Sequence, residues 1–229
     1  MTLYETIFTR RSVRKYDATP LTDTELAAIQ QVLNGVKQLP GQSANFEIAN
    51  AGKLKSVAAP HAILAYSPDN DAALANIGYA LQTVDLWLQG NGYGSIWMGM
   101  GKPIAPKPDY RILLAFGKTE IPLRSGESGY KRKPVSEISN EDNAIARAAR
   151  IAPSAANLQP WQLNFSQCRV CIQYNGKGIG KLFAGKMQKI DLGIILKHVE
   201  LALEQESRKI IAITPKIGAK IFEMELAYE

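Results

Sequence analysis

The chain has 229 residues, a formal net charge of +6, 46% hydrophobic and 21% charged residues, a composition typical of a globular protein with a buried core. No apolar run reaches the roughly 18 residues that a membrane-spanning helix needs, and the N-terminus lacks the apolar segment of a signal peptide. We therefore expect a cytoplasmic enzyme or binding protein, and because the basic residues form short clusters, an anionic small molecule rather than a nucleic acid as partner.

The first predicted element is a short apolar helix over residues 3–8, followed by a basic segment from Arg10 to Tyr16. Arg and Ser side chains supply the donors that bind phosphate groups. If the helix continued, Arg10 and Arg14 would lie on one face of it. A solvated basic N-terminus is the alternative, and this segment alone favours it.

Two pairs of segments further along the chain resemble each other. Segments 77–98 and 192–213 align without a gap at an offset of 115 positions, which places Gly78 opposite Gly193. Segments 22–40 and 139–153 align at an offset of 113 and are predicted helices, opened by a capping box from Thr22 and a similar start at Ser139. The nearly equal offsets indicate an internal duplication. Chance similarity of amphipathic helices is the alternative.

The coarse order of elements predicts an α+β fold. Each half contains helices, a strand, a long helix and a further strand, with predicted strands at residues 62–66, 95–98, 111–116, 170–174, 210–213 and 222–227. We expect halves at residues 1–122 and 123–229, joined by a loop over 120–134, in one integrated globular unit. Helices would pack on a mixed or antiparallel sheet, with the halves related by a pseudo-two-fold axis.

Two further stretches carry polar or small residues. Residues 152–161 place Ser154, Asn157 and Gln159 between two prolines, and neutral amides and hydroxyls suit the polar edge of a flat heterocycle. Residues 92–101 form a short apolar strand with glycines that let a ring approach the backbone. The structural alternatives are a polar loop anchored by Trp161 and a core strand flanked by turns.

Taken together, the Arg-Arg-Ser-x-Arg-Lys segment at 10–15, the Gly-Tyr-Gly-Ser-Ile-Trp-Met-Gly strand at 92–99 and the Pro-Ser-x-x-Asn-x-Gln-Pro-Trp loop at 153–161 resemble the nitroreductase family over nearly the whole chain. The chain is similar to single-chain, duplicated members of that family. The resemblance implies that both halves contribute to one flavin mononucleotide (FMN) site. The implied FMN-binding residues are Arg10, Arg11, Ser12, Arg14, Trp97, Met98, Gly99, Lys131, Arg132, Pro153, Ser154, Ala155, Asn157 and Gln159.

The resemblance also implies the chemistry. NADH or NADPH would reduce the FMN and leave, and a nitroaromatic, quinone or similar acceptor would then take the electrons in a ping-pong reaction through flavin N5. No side chain is needed as acid, base or nucleophile, no metal is implied, and Arg14 would stabilise the anionic reduced flavin. The alternatives are a specialised flavin reaction, such as dehalogenation or ring cleavage, and an FMN storage or sensor protein without turnover.

The two halves differ in their binding motifs. The first-half equivalent of the 153–161 loop has Gly41 where Ser154 stands, and the second half has no Arg-Arg-Ser. We therefore expect one FMN per chain, with the degenerate site filled by side chains such as Phe46. The chain would act as a monomer (a pseudo-dimer) or as a homodimer.

Two motifs are expected to carry no chemistry. The glycine-rich segment 175–182 has Lys181 and Leu182 where nucleotide-binding loops need Gly and Ser or Thr, so we expect a surface loop. Cys168 and Cys171 have a metal-like spacing, but too few further ligands exist for a zinc site. We expect reduced cysteines on a strand.

Overall fold

The computed structural model describes residues 1–175, 180–217 and 222–229. The α-helices are α1 (Leu3–Thr9), α2 (Asp23–Asn34), α3 (Asp71–Gly90), α4 (Val135–Ile138), α5 (Ala144–Arg150) and α6 (Gly180–Gln205). The β-strands are β1 (Asn45–Asn50), β2 (Leu54–Lys55), β3 (His61–Tyr66), β4 (Tyr93–Met98), β5 (Lys102–Pro103), β6 (Tyr110–Lys118), β7 (Trp161–Ser166), β8 (Arg169–Tyr174), β9 (Ile210–Ile217) and β10 (Phe222–Tyr228).

Two four-stranded antiparallel sheets organise the chain. One has the order β1-β3-β6-β4 and the other the order β7-β8-β10-β9, while β2 and β5 form a separate short pair. If the four strands of each large sheet are numbered by their order along the chain, both sheets have the spatial order first, second, fourth, third. In each sheet a long helix, α3 or α6, connects the second strand with the third. The predicted α+β fold of helices and antiparallel sheet is confirmed.

The long helices α3 and α6 pack directly against each other in the core. Nearly every residue of α3 is buried, as its apolar sequence requires for a helix covered on all sides. A side-chain carbon at Gly78 would lie 1.9 Å from the carbonyl oxygen of Ile190, and one at Gly193 would lie 1.8 Å from the carbonyl oxygen of Ala75. Glycine is therefore required at both positions for the helices to approach this closely.

The predicted strands at 62–66, 95–98, 111–116, 170–174, 210–213 and 222–227 all lie within observed strands, which extend one to several residues further. The sequence patterns miss β1, β7 and the two-residue strands β2 and β5. In β7 the alternation is present, since Trp161, Leu163 and Phe165 are buried and the residues between them are more exposed. Trp161 thus begins a strand in addition to ending the polar loop.

The helix predicted over 22–40 is shorter than expected. Its capping box is confirmed, because the Thr22 hydroxyl accepts from the Glu25 amide and the Glu25 carboxylate accepts from the Thr22 amide. The helix ends at Asn34, and the amide of Gly35 closes the last turn. The following residues form the loop that leads to β1.

The predicted helix start at Ser139 is wrong. Ser139 forms a bridge with Leu163 of β7, so its backbone belongs to the sheet edge. Helix α5 begins instead after Asn143, whose Oδ1 accepts a 2.8 Å hydrogen bond from the amide of Ala146. An Asn side chain caps a helix as well as a Ser side chain does. Because the backbone of Ser139 pairs with β7, Asn143 is the capping residue.

The glycine-rich segment 175–182 and the two cysteines are the motifs for which we expect no chemistry. Residues 176–179 of the predicted surface loop lie outside the described residues. In the described part of the chain neither cysteine forms a disulfide. Cys168 lies immediately before β8, and Cys171 lies within β8, where its Sγ donates to the Glu223 carboxylate at 3.4 Å. The described residues contain no group of three or more His, Cys, Asp or Glu side chains placed to hold a metal ion. In the described part of the chain, no helix is long and apolar enough to span a membrane.

Candidate functional site

The basic N-terminal segment is extended and not helical. Helix α1 ends at Thr9, and Arg10 leaves it with φ −59° and ψ 151°. Ser12 then forms a parallel bridge with Ser95 of β4, and the Val13 amide donates to the Ser95 carbonyl at 3.0 Å. The expectation that Arg10 and Arg14 share a helical face is wrong, because the edge of β4 offers this backbone a strand-like partner.

Arg10 points into the protein. Its side chain is 2% exposed, and its Nε lies 2.9 Å from Oδ2 of the fully buried Asp85 on α3. The contact is an ion pair rather than a well-aligned hydrogen bond. The other Asp85 oxygen accepts from the Ser95 hydroxyl at 2.6 Å and from Gln89 at 3.3 Å. The pair therefore joins the N-terminal segment to α3 and β4.

A cavity of about 500 Å³ lies where the two halves of the chain meet. Its walls come from the N-terminal segment, the end of β4, the segment before α4, the loop before β7, and α6. It is lined by Ser12, Arg14, Ile96, Trp97, Gly99, Met100, Ile112, Arg132, Pro153, Ser154, Ala155, Ala156, Asn157, Met187, Ile190, Asp191 and Ile194. Most of the predicted site residues, from four separate stretches of sequence, therefore surround one space.

The other predicted site residues lie around this cavity rather than in its lining. Besides Arg10, these include Arg11, whose amide donates to Gln89 at 2.7 Å, and Met98, which lines a neighbouring cavity on the opposite face of β4 from Trp97. The Lys131 carbonyl accepts from Asn157 at 2.8 Å.

The loop before β7 is shaped by its own polar side chains. The Ser154 hydroxyl accepts from the Gln159 amide at 2.9 Å, and the Gln159 side-chain oxygen accepts from the Lys133 amide at 2.8 Å. Ala156, Asn157 and Gln159 have φ values of 49°, 57° and 48°. Residues other than Gly rarely adopt this left-handed conformation, and such strain is characteristic of binding sites.

Arg132 is the most distinctive cation of the cavity. Its guanidinium donates to the side chain of Asn157 and, at 3.3 Å, to the Ile151 carbonyl. Burial, together with the smaller effect of the positive charge of Arg10, lowers its pKa to about 10. Among the described residues, its Nε has no hydrogen-bond partner. A partly buried, still protonated Arg that lines the cavity is suited to an anionic ligand.

Trp97 is held by a chain of three hydrogen bonds. Its indole donates to Gln82 at 3.2 Å, Gln82 lies 3.2 Å from Nε2 of His198, and Nδ1 of His198 lies 3.0 Å from the Ala148 carbonyl. Since a carbonyl only accepts, Nδ1 carries the proton and Nε2 accepts from Gln82. Burial lowers the pKa of His198 to about 3, so the ring is neutral, with one nitrogen that donates to Ala148 and one that accepts from Gln82.

Comparisons with known proteins assign the chain to a family. A family model described as "Putative TM nitroreductase" matches residues 2–203. The chain belongs to the nitroreductase family. A comparison with curated protein sequences found no match.

Solved structures share the nitroreductase fold. A Thermotoga maritima protein of the same description aligns with a TM-score of 0.74 and 22% identity, covering 99% of this chain and 94% of that chain. A nitroreductase family protein from Clostridium difficile aligns with a TM-score of 0.50 and 18% identity, covering 62% of this chain and 100% of that chain. A Desulfovibrio desulfuricans protein in complex with FMN aligns with a TM-score of 0.47 and 16% identity, covering 62% and 98%.

Among the described cavity-lining residues that the sequence motifs miss, Asp191 is the one with a charged side chain. Asp191 on α6 is 3% exposed and lines the cavity, and both its oxygens lie close to the amide of Ala155, at 3.1 and 3.2 Å. Its sequence signal is a single acid within the apolar run from Ile190 to Leu196, at the offset of 115 from Asn76. A charged residue on a buried helix face is rare without a specific partner or role.

Proposed function

We propose that this nitroreductase-family protein is an FMN-dependent NAD(P)H oxidoreductase that reduces nitroaromatic compounds, quinones or similar acceptors. The family assignment supports an oxidoreductase. The bound flavin would accept hydride at N5 from NADH or NADPH and pass electrons to the acceptor in a ping-pong sequence, as the family resemblance implies. The protein would supply binding, orientation and electrostatics.

The observation that carries the proposal is Arg132 in the cavity wall. The partly buried guanidinium of Arg132, with Arg14 lining the same space, provides the charge that a phosphate needs. The cavity volume of about 500 Å³ falls in the range of small-molecule sites. Ile96, Trp97 and Ile194 give it apolar walls for a ring system. The residues present therefore fit FMN, with cations for the phosphate and apolar surface for the ring.

Asn157 and Gln159 would act in this scheme as supports of the site. The side chain of Asn157 is engaged by Arg132 and by the Lys131 carbonyl, and Gln159 is only 3% exposed. Both would fix the position of Arg132 and of the loop. Ser12, Ser154 and Gly99 line the cavity directly and would contact the ligand.

We further propose that the chain is internally duplicated and binds one FMN. The common strand order of the two sheets and the reciprocal glycine contacts between α3 and α6 support the duplication. Because the basic N-terminal segment and the loop before β7 of one chain line the same cavity, a monomer is one form to test for, and a homodimer is the other. The proposal includes a cytoplasmic location and a small-molecule acceptor, without nucleic acid or membrane partners.

The test is purification followed by a flavin-to-protein count and anaerobic addition of NADH or NADPH. The proposal predicts a yellow protein with about one FMN per chain, whose visible absorbance bleaches with at least one of the two donors. A ratio near two would contradict the single asymmetric site. A flavin that neither donor bleaches would overturn the enzyme and favour a storage or sensor protein. Light scattering would give the oligomeric state.

A further inference from the structure

The carboxyl group of Asp191 is unusually poorly satisfied for a buried acid. Its two oxygens share one donor, the amide of Ala155, at 3.1 and 3.2 Å. Within the described residues, no Lys, Arg or His forms an ion pair with it. A buried carboxylate normally needs a cation or several donors, so a single amide does not account for a charged group here.

Asn76 is the residue in the first half that corresponds to Asp191, and it shows what kind of side chain can hold a loop backbone from this position. Asn76 lies 115 positions before Asp191, and its Oδ1 accepts a 2.7 Å hydrogen bond from the amide of Leu39. Its Nδ2 donates to Gln38 at 2.7 Å. A neutral side chain therefore holds the corresponding loop, and a carboxyl group is not needed for that purpose. Asn76 also shows that the position accepts a group that donates and accepts at once.

The surroundings favour the neutral acid. Burial raises the pKa of Asp191 to about 8, and the hydrogen bond from Ala155 opposes this rise. Arg14 from the N-terminal segment and Arg132 from the segment before α4 are the other charged side chains among the residues that line the cavity in the described part of the chain. The neighbouring Ile190 and Ile194 on α6 make this wall apolar.

We propose that Asp191 is a cofactor-contacting residue, whose protonated carboxyl group donates a hydrogen bond into the cavity to an acceptor atom of the flavin ring. One oxygen keeps its contact with the Ala155 amide, and the other carries the proton. A flavin ring offers carbonyl oxygens and ring nitrogens as acceptors, while Arg14 and Arg132 serve the phosphate. This inference rests on the proposed FMN binding and assigns a ring contact to a residue outside the recognised motifs.

The test is the pH dependence of FMN affinity, measured by quenching of flavin fluorescence with the apoprotein. If FMN binds the protonated form, the wild-type affinity should be about tenfold lower at pH 9 than at pH 7, since the protonated fraction falls by that factor. Asp191→Asn keeps a donor and an acceptor but does not titrate. Because the Asn side chain does not titrate, the FMN affinity of this variant should change less than about twofold over the same range. The ratio of the two pH profiles then gives the effect of the Asp191 carboxyl group alone.

Asp142→Asn is the matched control, because Asp142 is an exposed acid that pairs with Arg147. It should keep the wild-type profile. Identical profiles for wild type and Asp191→Asn, with FMN bound by both, would overturn this inference alone. Failure of the wild type to bind FMN at any pH would overturn the proposed function and this inference together.

A second measurement covers the case in which Asp191→Asn does not fold. Calorimetry of FMN binding to the wild-type apoprotein, in buffers of different ionisation enthalpy, reports the protons taken up on binding. Uptake should be larger at pH 8.5 than at pH 7, because a growing fraction of Asp191 must then be reprotonated. Equal uptake at the two pH values would overturn the inference.

Discussion

Gly78 on α3 and Gly193 on α6 each lie against the backbone of the other's helix. A side-chain carbon at Gly78 would lie against the backbone of Ile190 and Ile194, and one at Gly193 would lie against the backbone of Ala75 and Tyr79. Ala75 lies 115 positions before Ile190, and Tyr79 lies 115 positions before Ile194. The contact is therefore reciprocal, as at a two-fold axis, and it fixes how closely the two halves approach around the cavity.

Substitution of either glycine should destabilise the whole protein. Gly78→Ala or Gly193→Ala places a carbon less than 2 Å from a backbone oxygen, and overpacking of this kind typically destabilises by about 3 kcal/mol when backbone must move. Urea unfolding would measure the loss. Gly35→Ala is the control, because its added carbon meets no atom closer than 3.6 Å. Unchanged stability of both core variants would contradict the close packing of α3 and α6.

Arg10→Ala should act through stability. Removing one member of the buried Arg10–Asp85 pair leaves an uncompensated charge, which typically destabilises by about 3–5 kcal/mol. Asp85→Leu should have a similar effect, and the double variant Arg10→Met with Asp85→Leu should lose less than the sum of the single losses. The folded fraction of Arg10→Ala should retain FMN to within a few-fold. Full stability together with loss of FMN would instead show direct binding by Arg10.

Arg132→Gln should weaken FMN binding without unfolding the protein. A charge-assisted hydrogen bond contributes about 1.5–3 kcal/mol, so the dissociation constant should rise roughly tenfold to a hundredfold. Fluorescence quenching would measure the change. Arg147→Gln is the control, since Arg147 is an exposed residue paired with Asp142. Equal affinities for the two variants would remove Arg132 from the phosphate site.

His198 should make the protein sensitive to acid. Its pKa is about 3 in the folded protein and about 6.5 in the unfolded chain. The unfolded chain therefore binds the proton first, so the stability contribution of His198 is complete above about pH 6.5 and is lost as the pH falls toward 3, about 5 kcal/mol in all. The stability difference between wild type and His198→Gln, followed by unfolding at several pH values, should shrink over this range. A constant difference would contradict a neutral His198.

The elements that depend on local spacing could be predicted from the sequence alone. Apolar periodicity predicted the two long helices and most strands, and the Thr22–Glu25 capping box placed the start of α2, because these signals act within a few residues. The family-like motifs identified residues in three walls of the cavity.

Which side chains face the cavity depends on tertiary contacts. Arg10 turns inward because Asp85, 75 positions away, provides the buried charge it pairs with. Asp191 enters the site because the packing of α6 places one helix face against the loop at Ala155. Both outcomes depend on contacts between distant segments, which local patterns do not encode.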